Sequence, residues 1–316
     1  MFLSFLKALV SGWGGALRDL CRRLARALAR WKARKHLGKI PTKDRCVPVD
    51  NPAFVRPDPM IYAQYYLTSL GLAVTWDNPD IQLYLNGAPV ASTDLLAGTT
   101  YDVVAQVWNN STDAPVVGLP VSFSFLEFGV GTTSVPIGST QIDLGVKGGA
   151  NCPAFAHMLW TTPTTPGHYC VQVLLQPADD TNTQNNLGQE NTDVGTAHSP
   201  AVFVWTLRNA TDAKQTYRFE TDAYVPGTPD QCTPTSGTAE SRRARMARHR
   251  RGGQPLPPNW LVAVSPAAPT LDPGQSVPIT VTATPPPGFT GQQPINVNAF
   301  HSTGLAGGVT LTVVHA

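Results

Sequence analysis

From about residue 61 onward, the chain is a succession of short segments in which apolar and polar residues alternate. Turn-forming pairs such as Asn86-Gly87 and Pro166-Gly167 separate these segments. The segments 101–108 and 168–175 have the alternation expected of strands that bury one face. The pattern predicts a mainly β fold with no helices between the strands.

The predicted strands fall into two groups, each with the spacing of an immunoglobulin-like β-sandwich. We expect one sandwich over 61–198 and a second over 199–316, with an insert at 226–258. Charged residues make up only 14% of the chain, while Gly and Pro number 27 and 29 of 316 residues, which suits many short strands and loops. The predicted strands are 72–76, 81–85, 101–109, 119–126, 154–160, 168–175, 201–207, 215–223, 259–264, 276–284, 294–300 and 308–314.

Charge is distributed unevenly along the chain. Residues 1–39 contain ten Lys or Arg and one acidic residue, whereas 52–240 contain five basic and seventeen acidic residues, a net charge of −12. Six more arginines lie within 241–251. Basic segments attached to an acidic body predict contacts with something outside the fold.

Residues 1–39 have the periodicity of a basic amphipathic helix. A row at steps of four consists of Arg18, Arg22, Arg26 and Arg30. Residues 40–60 are rich in proline and predict an extended tether. The apolar residues recur at steps of three and four, which places them on one helix face: Phe2, Leu6, Leu9, Trp13, Leu17, Leu20, Leu24, Leu28 and Trp31.

Such a helix is suited to an anionic membrane surface, because its apolar face enters the acyl boundary while its arginines meet the head groups. Docking on a protein partner is a second interpretation, and a targeting segment is a third. Lys7 interrupts the apolar stretch and arginines follow it, so we expect no cleavable secretion signal. No run reaches 18 apolar residues, so the sequence predicts peripheral membrane association on an unassigned side.

The arginine-rich end of the insert predicts a loop that binds an anion or a partner, because arginine forks suit carboxylates and phosphates alike. A solvated loop between strands is the simpler interpretation. Nucleic acid is not an expected partner, since the stretch has no interleaved aromatics and the acidic body would repel a phosphate backbone. The candidate residues are Arg242, Arg243, Arg245, Arg248, Arg250 and Arg251.

No residues are spaced for catalysis, cofactor binding or metal binding, so we expect a protein that is not an enzyme and has no cofactor. If 153–161 and 168–175 form a hairpin, Cys170 lies opposite residue 159. Cys152 is then about 20 Å away, at about 3.3 Å per residue, which favours free thiols over a disulfide. The same hairpin would bring His157 and His168 close together.

Residues 80–194 contain the pieces DIQLYLNGAPV, LLAGTTYDVVAQVWNNS, GLPVSFSF, AFAHMLWTTPTTPGHYCVQVLL and DDTNTQNNLGQENTDV. Together these pieces resemble the bacterial CARDB (cell-adhesion-related) branch of immunoglobulin-like domains. The element W-x-x-P-x-x-P-G-x-Y ends at Tyr169. The resemblance implies that Tyr169 is a tyrosine-corner residue, which ties down the turn at Pro166-Gly167.

Residues 259–316 contain the pieces NWLVAVSPAAPTLDPGQSVPITVTATPPPGFTGQQPINVNAF and GGVTLTVV. They resemble the NPCBM-associated sandwich modules appended to bacterial glycosidases and surface proteins. Both resemblances imply non-catalytic spacer, assembly or binding modules, and neither implies a particular ligand.

These observations predict a non-catalytic structural or assembly protein, anchored through residues 1–39 to a membrane surface or a larger complex. One open alternative is a subunit of a multiprotein complex that docks by the helix and the arginine-rich loop without membrane contact. The other is a carbohydrate-binding accessory or adhesion module, which needs exposed aromatic side chains. The tryptophans Trp76, Trp108 and Trp160 lie in strand patterns, so we expect them in the core.

Overall fold

The protein is mainly β in the computed structural model, as the alternation predicts. The predicted N-terminal helix, most of the tether and most of the arginine-rich insert lie outside the described residues. The structure describes residues 56–127, 129–194, 202–226, 247 and 249–315.

The first half of the body contains one short helix, α1 (Gln64–Ser69), and the strands of a sandwich. The strands are β1 (Pro59–Met60), β2 (Ile81–Leu85), β3 (Ala88–Val90), β4 (Thr100–Asn109), β5 (Val116–Glu127), β6 (Gly129–Val130), β7 (Ser134–Leu144), β8 (Ala154–Thr161), β9 (Gly167–Leu175) and β10 (Leu187–Val194).

Two antiparallel sheets form this first sandwich. One has the order β3-β2-β4-β8, with β1 beside the end of β4, and the other has the order β10-β9-β5-β7. Inward-facing side chains such as Phe123, Trp160 and Val171 fill the core between them. Each sheet buries one face and leaves the other outside, which is the arrangement of an immunoglobulin-like sandwich.

Tyr169 on β9 is a tyrosine corner, as the resemblance implies. Its hydroxyl donates a hydrogen bond to the Thr165 carbonyl oxygen at 2.9 Å, four residues upstream. The side chain is buried, so this bond satisfies its one polar atom and fixes the turn between β8 and β9.

The second half of the body forms two further sheets and a two-stranded ribbon. The sheets have the orders β14-β16-β11-β6 and β13-β17-β18, and the ribbon pairs β12 with β15. Trp205, Ile279 and Val297 lie in the second core. The strands are β11 (Val202–Arg208), β12 (Gln215–Thr216), β13 (Arg218–Asp222), β14 (Leu261–Ser265), β15 (Thr270–Leu271), β16 (Ser276–Thr284), β17 (Gly291–His301) and β18 (Gly304–His315).

Strand β6 links the two sandwiches. It lies in sequence between β5 and β7 of the first sandwich, yet it pairs in parallel with β11 of the second. Val130 is buried in the second core. A Cβ atom at Gly129 would lie 2.1 Å from the Thr206 carbonyl oxygen, so only glycine allows the two backbones to approach this closely.

Buried hydrogen bonds reinforce the junction. Trp76 is 1% exposed, and its Nε1 donates to Asn298 Oδ1 at 3.0 Å. The Trp76 backbone N–H donates to Thr310 Oγ1 at 2.7 Å, and the Tyr65 hydroxyl donates to the Ala306 carbonyl oxygen at 3.2 Å. The described residues from 57 onward therefore form one compact unit.

The strand expected at 72–76 is wrong. Residues 73–76 are buried without alternation, and only Leu72 makes an isolated bridge. Backbone N–H groups here are satisfied by side chains, because Thr75 donates to the Tyr62 hydroxyl at 3.2 Å and Trp76 donates to Thr310. A segment whose N–H groups are bonded in this way does not need a neighbouring strand.

The segments 153–161 and 168–175 do not form a hairpin. β8 pairs with β4, whereas β9 pairs with β5 and β10 in the opposite sheet. His157 and His168 therefore lie on different sheets, and Cys170 is opposite Leu126 and Asn191 rather than residue 159. The thiols of Cys152 and Cys170 are nevertheless free, as expected.

The predicted strand 215–223 is divided into β12 and β13, which belong to different sheets. Tyr217 separates them. Its side chain is 1% exposed in the second core, and its backbone N–H donates to the Pro269 carbonyl oxygen at 2.9 Å. Burial of this aromatic ring turns the chain from the ribbon to the sheet.

Candidate functional site

A groove of about 580 Å³ lies on the outer face of the β3-β2-β4-β8 sheet. Side chains from β2, β4 and β8 form its floor, since every second residue of a strand faces outward. Strands position side chains more precisely than loops do, so a site built on these three strands is well defined in position.

The pairing of these strands sets outward side chains in three rows across the sheet. Strands lie about 4.8 Å apart and successive rows about 6.6 Å apart, so the rows cover about 13 by 10 Å. We call this set of residues the outer-face grid. Its rows are Asp80, Gln106 and Phe155; Gln82, Val104 and His157; and Tyr84, Asp102 and Leu159.

Apolar side chains of the grid are unusually exposed. Phe155 is 53% exposed and Leu159 is 69% exposed, because the inward positions of β8 are taken by Ala154, Ala156 and Trp160. Large exposed apolar groups within a polar-rimmed depression are characteristic of a binding surface.

Polar side chains of the grid are partly held in place by one another. His157 Nδ1 lies 2.8 Å from Asp102 Oδ2, and the Tyr84 hydroxyl donates to Gln82 Oε1 at 2.7 Å. Among the described residues, the Gln106 side chain has no hydrogen-bond partner in the protein. Its amide therefore offers two donors and one acceptor to a ligand.

Asp80 closes one end of the grid. Its carboxylate accepts a hydrogen bond from Trp108 Nε1 at 3.0 Å and another from the Tyr62 backbone N–H at 2.7 Å. Burial raises the pKa of the Asp80 carboxyl, and these two hydrogen bonds oppose that rise. Both carboxylate oxygens are thus occupied by protein donors.

In the part of the chain that the structure describes, no group of three His, Cys, Asp or Glu is placed to hold a metal ion. The oxygen-rich loop at 179–186 is organised by its own hydrogen bonds. Asp180 accepts from the Asn182 backbone N–H at 2.9 Å and from Asn186 Nδ2 at 2.7 Å. These bonds are the turn chemistry of Asx residues.

Two of the predicted anion-binding arginines fall within the described residues. Arg250 is exposed and pairs with Leu72 in the isolated bridge. Arg251 Nε lies 3.3 Å from Glu220 Oε2, and its guanidinium stacks over the Phe300 ring at 4.9 Å. Arg251 therefore contacts the fold itself, whereas Arg242, Arg243, Arg245 and Arg248 lie outside the described residues.

The predicted membrane- or partner-binding residues, from Phe2 to Trp31, also lie outside the described residues. No helix among the residues described is long and apolar enough to cross a bilayer. Trp76 and Trp160 are in the interior, as expected, while Trp108 is only half-buried beside Asp80 on the outer face.

Sequence reasoning missed the outer-face grid. A signal was present in β8, because its residues alternate between two faces. Phe155, His157 and Leu159 lie on the face opposite to that of Ala154, Ala156 and Trp160. Both faces of β8 carry apolar residues, so the face that points into the core could be assigned only once the partner sheet was known.

No family model matches the chain, and no curated protein matches it. Among the solved structures that are similar to the chain are two at 14% identity. The match to the D0-D1 domain of intimin covers 71% of this chain and 95% of the intimin chain, with a TM-score of 0.24. The Yersinia pseudotuberculosis adhesin InvE covers 70% of this chain with a TM-score of 0.20, and the chain spans 55% of the InvE chain. The sandwich fold stands on the strand pairing described above.

Proposed function

We propose that this protein is a non-catalytic structural protein that displays two rigidly joined sandwiches. The observation that carries this proposal is the junction, where β6 crosses into the second sandwich and buried side chains bond across the boundary. Domain interfaces within a chain usually permit relative motion unless they are large and well packed. A shared sheet removes that freedom, which suits a spacer or an assembly module.

Residues 1–39 attach this body to an anionic membrane surface or to a larger assembly. Their ten basic residues and their apolar positions support this role, because each cation near an anionic surface contributes about 1 kcal/mol. The acidic character of 52–240 keeps the body itself away from such a surface.

A finer family assignment belongs to the same proposal. The first sandwich is of the CARDB type and the second of the NPCBM-associated type, and the Tyr169 hydrogen bond supports the first assignment. The strands of 80–194 are expected to superpose on a CARDB domain over their whole length. A different strand order there would contradict the assignment.

Flotation of the full chain with vesicles tests the attachment. Vesicles of phosphatidylcholine with phosphatidylserine should carry the protein, and phosphatidylcholine alone should carry much less. Replacing Arg18, Arg22, Arg26 and Arg30 with Gln should weaken binding about a thousandfold, since four contributions of about 1 kcal/mol are lost. High salt should weaken binding in the same direction.

The matched control removes the same charge elsewhere, by replacing Arg242, Arg243, Arg245 and Arg248 with Gln. This variant should float like the wild type. Equal loss in both variants would mean that total charge, not residues 1–39, decides binding. If the wild type floats with neither kind of vesicle, attachment to a membrane is contradicted and docking to a protein complex remains.

A further inference from the structure

We propose that the outer-face grid is a binding site for a neutral, extended carbohydrate chain. This inference goes beyond the attachment of the protein through residues 1–39 and does not depend on it. It concerns the ligand that the first sandwich binds.

The charge of the groove selects a neutral ligand. Its lining contains no lysine or arginine, so an anionic ligand meets no counter-charge there. Its two carboxylates already have partners in the protein, since Asp102 is paired with His157 and Asp80 with Trp108 and Tyr62. Each carboxylate is therefore already engaged within the protein, which weakens it as a counter-charge for a cationic ligand.

The backbone offers a peptide little on this face of the sheet. Strand β4 is paired on both sides along the grid, and the N–H and C=O groups of all three strands lie in the plane of the sheet rather than on its face. A peptide strand is recognised by main-chain hydrogen bonds at a sheet edge, and a sheet face lacks them. Recognition at this face must come from side chains.

The side chains combine hydrogen-bonding groups with apolar surfaces at close spacing. The Gln106 amide is free of protein partners among the described residues, and Gln82, Asp102 and His157 lie in the neighbouring rows. Phe155 is an exposed aromatic ring within the same grid. A sugar ring has hydroxyls around its rim and apolar C–H groups on its faces, so it matches both features at once.

The size of the groove matches a slender chain better than a folded protein. A stable protein interface takes about 20 to 30 residues from each partner, whereas the grid has nine positions within about 13 by 10 Å. A depression of about 580 Å³ falls within the range of small-molecule sites. Several consecutive sugar units, laid along the strands, fit these dimensions.

Titration calorimetry of the full chain tests the proposal with three neutral hexasaccharides, namely cellohexaose, xylohexaose and chitohexaose. We expect at least one to bind with a dissociation constant below about 1 mM. Phe155→Ala and Gln106→Ala should each weaken that binding about tenfold or more. Phe155 is exposed, so its replacement should leave thermal unfolding nearly unchanged, which circular dichroism would verify.

Val204→Ala is the matched control, because Val204 is a similarly exposed apolar residue on β11 of the second sandwich. It should bind the same hexasaccharide with unchanged affinity. The proposal is overturned if none of the three hexasaccharides binds, or if Phe155→Ala and Val204→Ala bind equally well. If the wild type sediments as a dimer and Phe155→Ala does not, this face is a contact between copies of the chain. That result would also overturn the proposal.

Discussion

Glu190 on β10 is a carboxyl group removed from water. It is 4% exposed, and its Oε2 accepts a hydrogen bond from the Asn78 backbone N–H. Burial raises its pKa well above the ordinary value, and the nearby Asp77 carboxylate adds to the rise. The Asn78 and Ser92 hydrogen bonds oppose this effect without cancelling it.

Glu190 makes stability depend on pH in a definite direction. A raised pKa means that the folded state binds the proton more tightly than the unfolded state. The contribution is therefore fully present below the ordinary pKa of about 4.3, and it is lost as the pH rises through the folded-state value. Glu190 opposes folding at neutral pH when compared with a neutral side chain of the same shape.

Glu190→Gln should remove this dependence. Between pH 4 and pH 8, the free energy of unfolding of the wild type should fall relative to the variant by about 1.4 kcal/mol for each unit of the pKa rise. Urea unfolding at several pH values measures the difference. Glu127→Gln is the control, because Glu127 is exposed and the change removes one carboxylate without touching the buried site. Parallel profiles for Glu190→Gln would contradict the argument.

At the scale of elements, the short strand β6 depends on tertiary contacts rather than on its own sequence. β6 has two residues, yet it adds a parallel strand to the second sandwich and buries Val130 there. Gly129 has a φ of 149°, and its lack of a Cβ leaves room for the Thr206 carbonyl oxygen. A side chain at this position must push β6 away from β11.

Gly129→Ala should therefore lower the free energy of unfolding by about 3 kcal/mol, at the upper end of ordinary substitutions. Gly288→Ala is the matched control, because Gly288 also has a positive φ, of 76°, but a Cβ added there would meet nothing within 4 Å. The control should cost only about 1 kcal/mol. Equal losses in urea unfolding would mean that backbone conformation, and not the approach to β11, limits this position.

At the scale of the whole molecule, the two sandwiches should unfold together. Trp76 belongs to the first half in sequence, but its indole bonds to Asn298 and its backbone bonds to Thr310 of the second. The buried ring lies at the junction, so separation of the two halves exposes it.

Calorimetry should show one unfolding transition for the wild type and two for Trp76→Ala, with a total loss of about 3 to 5 kcal/mol. Trp108→Ala is the control, because Trp108 is half-buried on the outer face, away from the junction. It should keep a single transition. Two transitions in the wild type would show that the junction does not couple the sandwiches.

Most strands could be predicted because their information is local. The segments 81–85, 154–160 and 276–284 alternate clearly, and the structure has strands there with nearly the same bounds. β7 was missed because Pro136 and Gly138 interrupt its pattern, and β10 because its sequence, LGQENTDV, is mostly polar. Tertiary contacts override weak local preference in both strands.

The sequence by itself determined a mainly β chain with enough strands for two sandwiches and an acidic body with basic segments, while the corner at Tyr169 followed from the family resemblance. Periodicity, turn residues and charge are local properties, so a single chain carries them in full. Only the tertiary structure decided that β8 and β9 lie in opposite sheets, that β6 joins the second sandwich, and that Phe155, Gln106 and Asp80 meet in one grid. Those choices pair residues far apart in sequence, and they depend on which faces can pack together without leaving backbone groups unsatisfied.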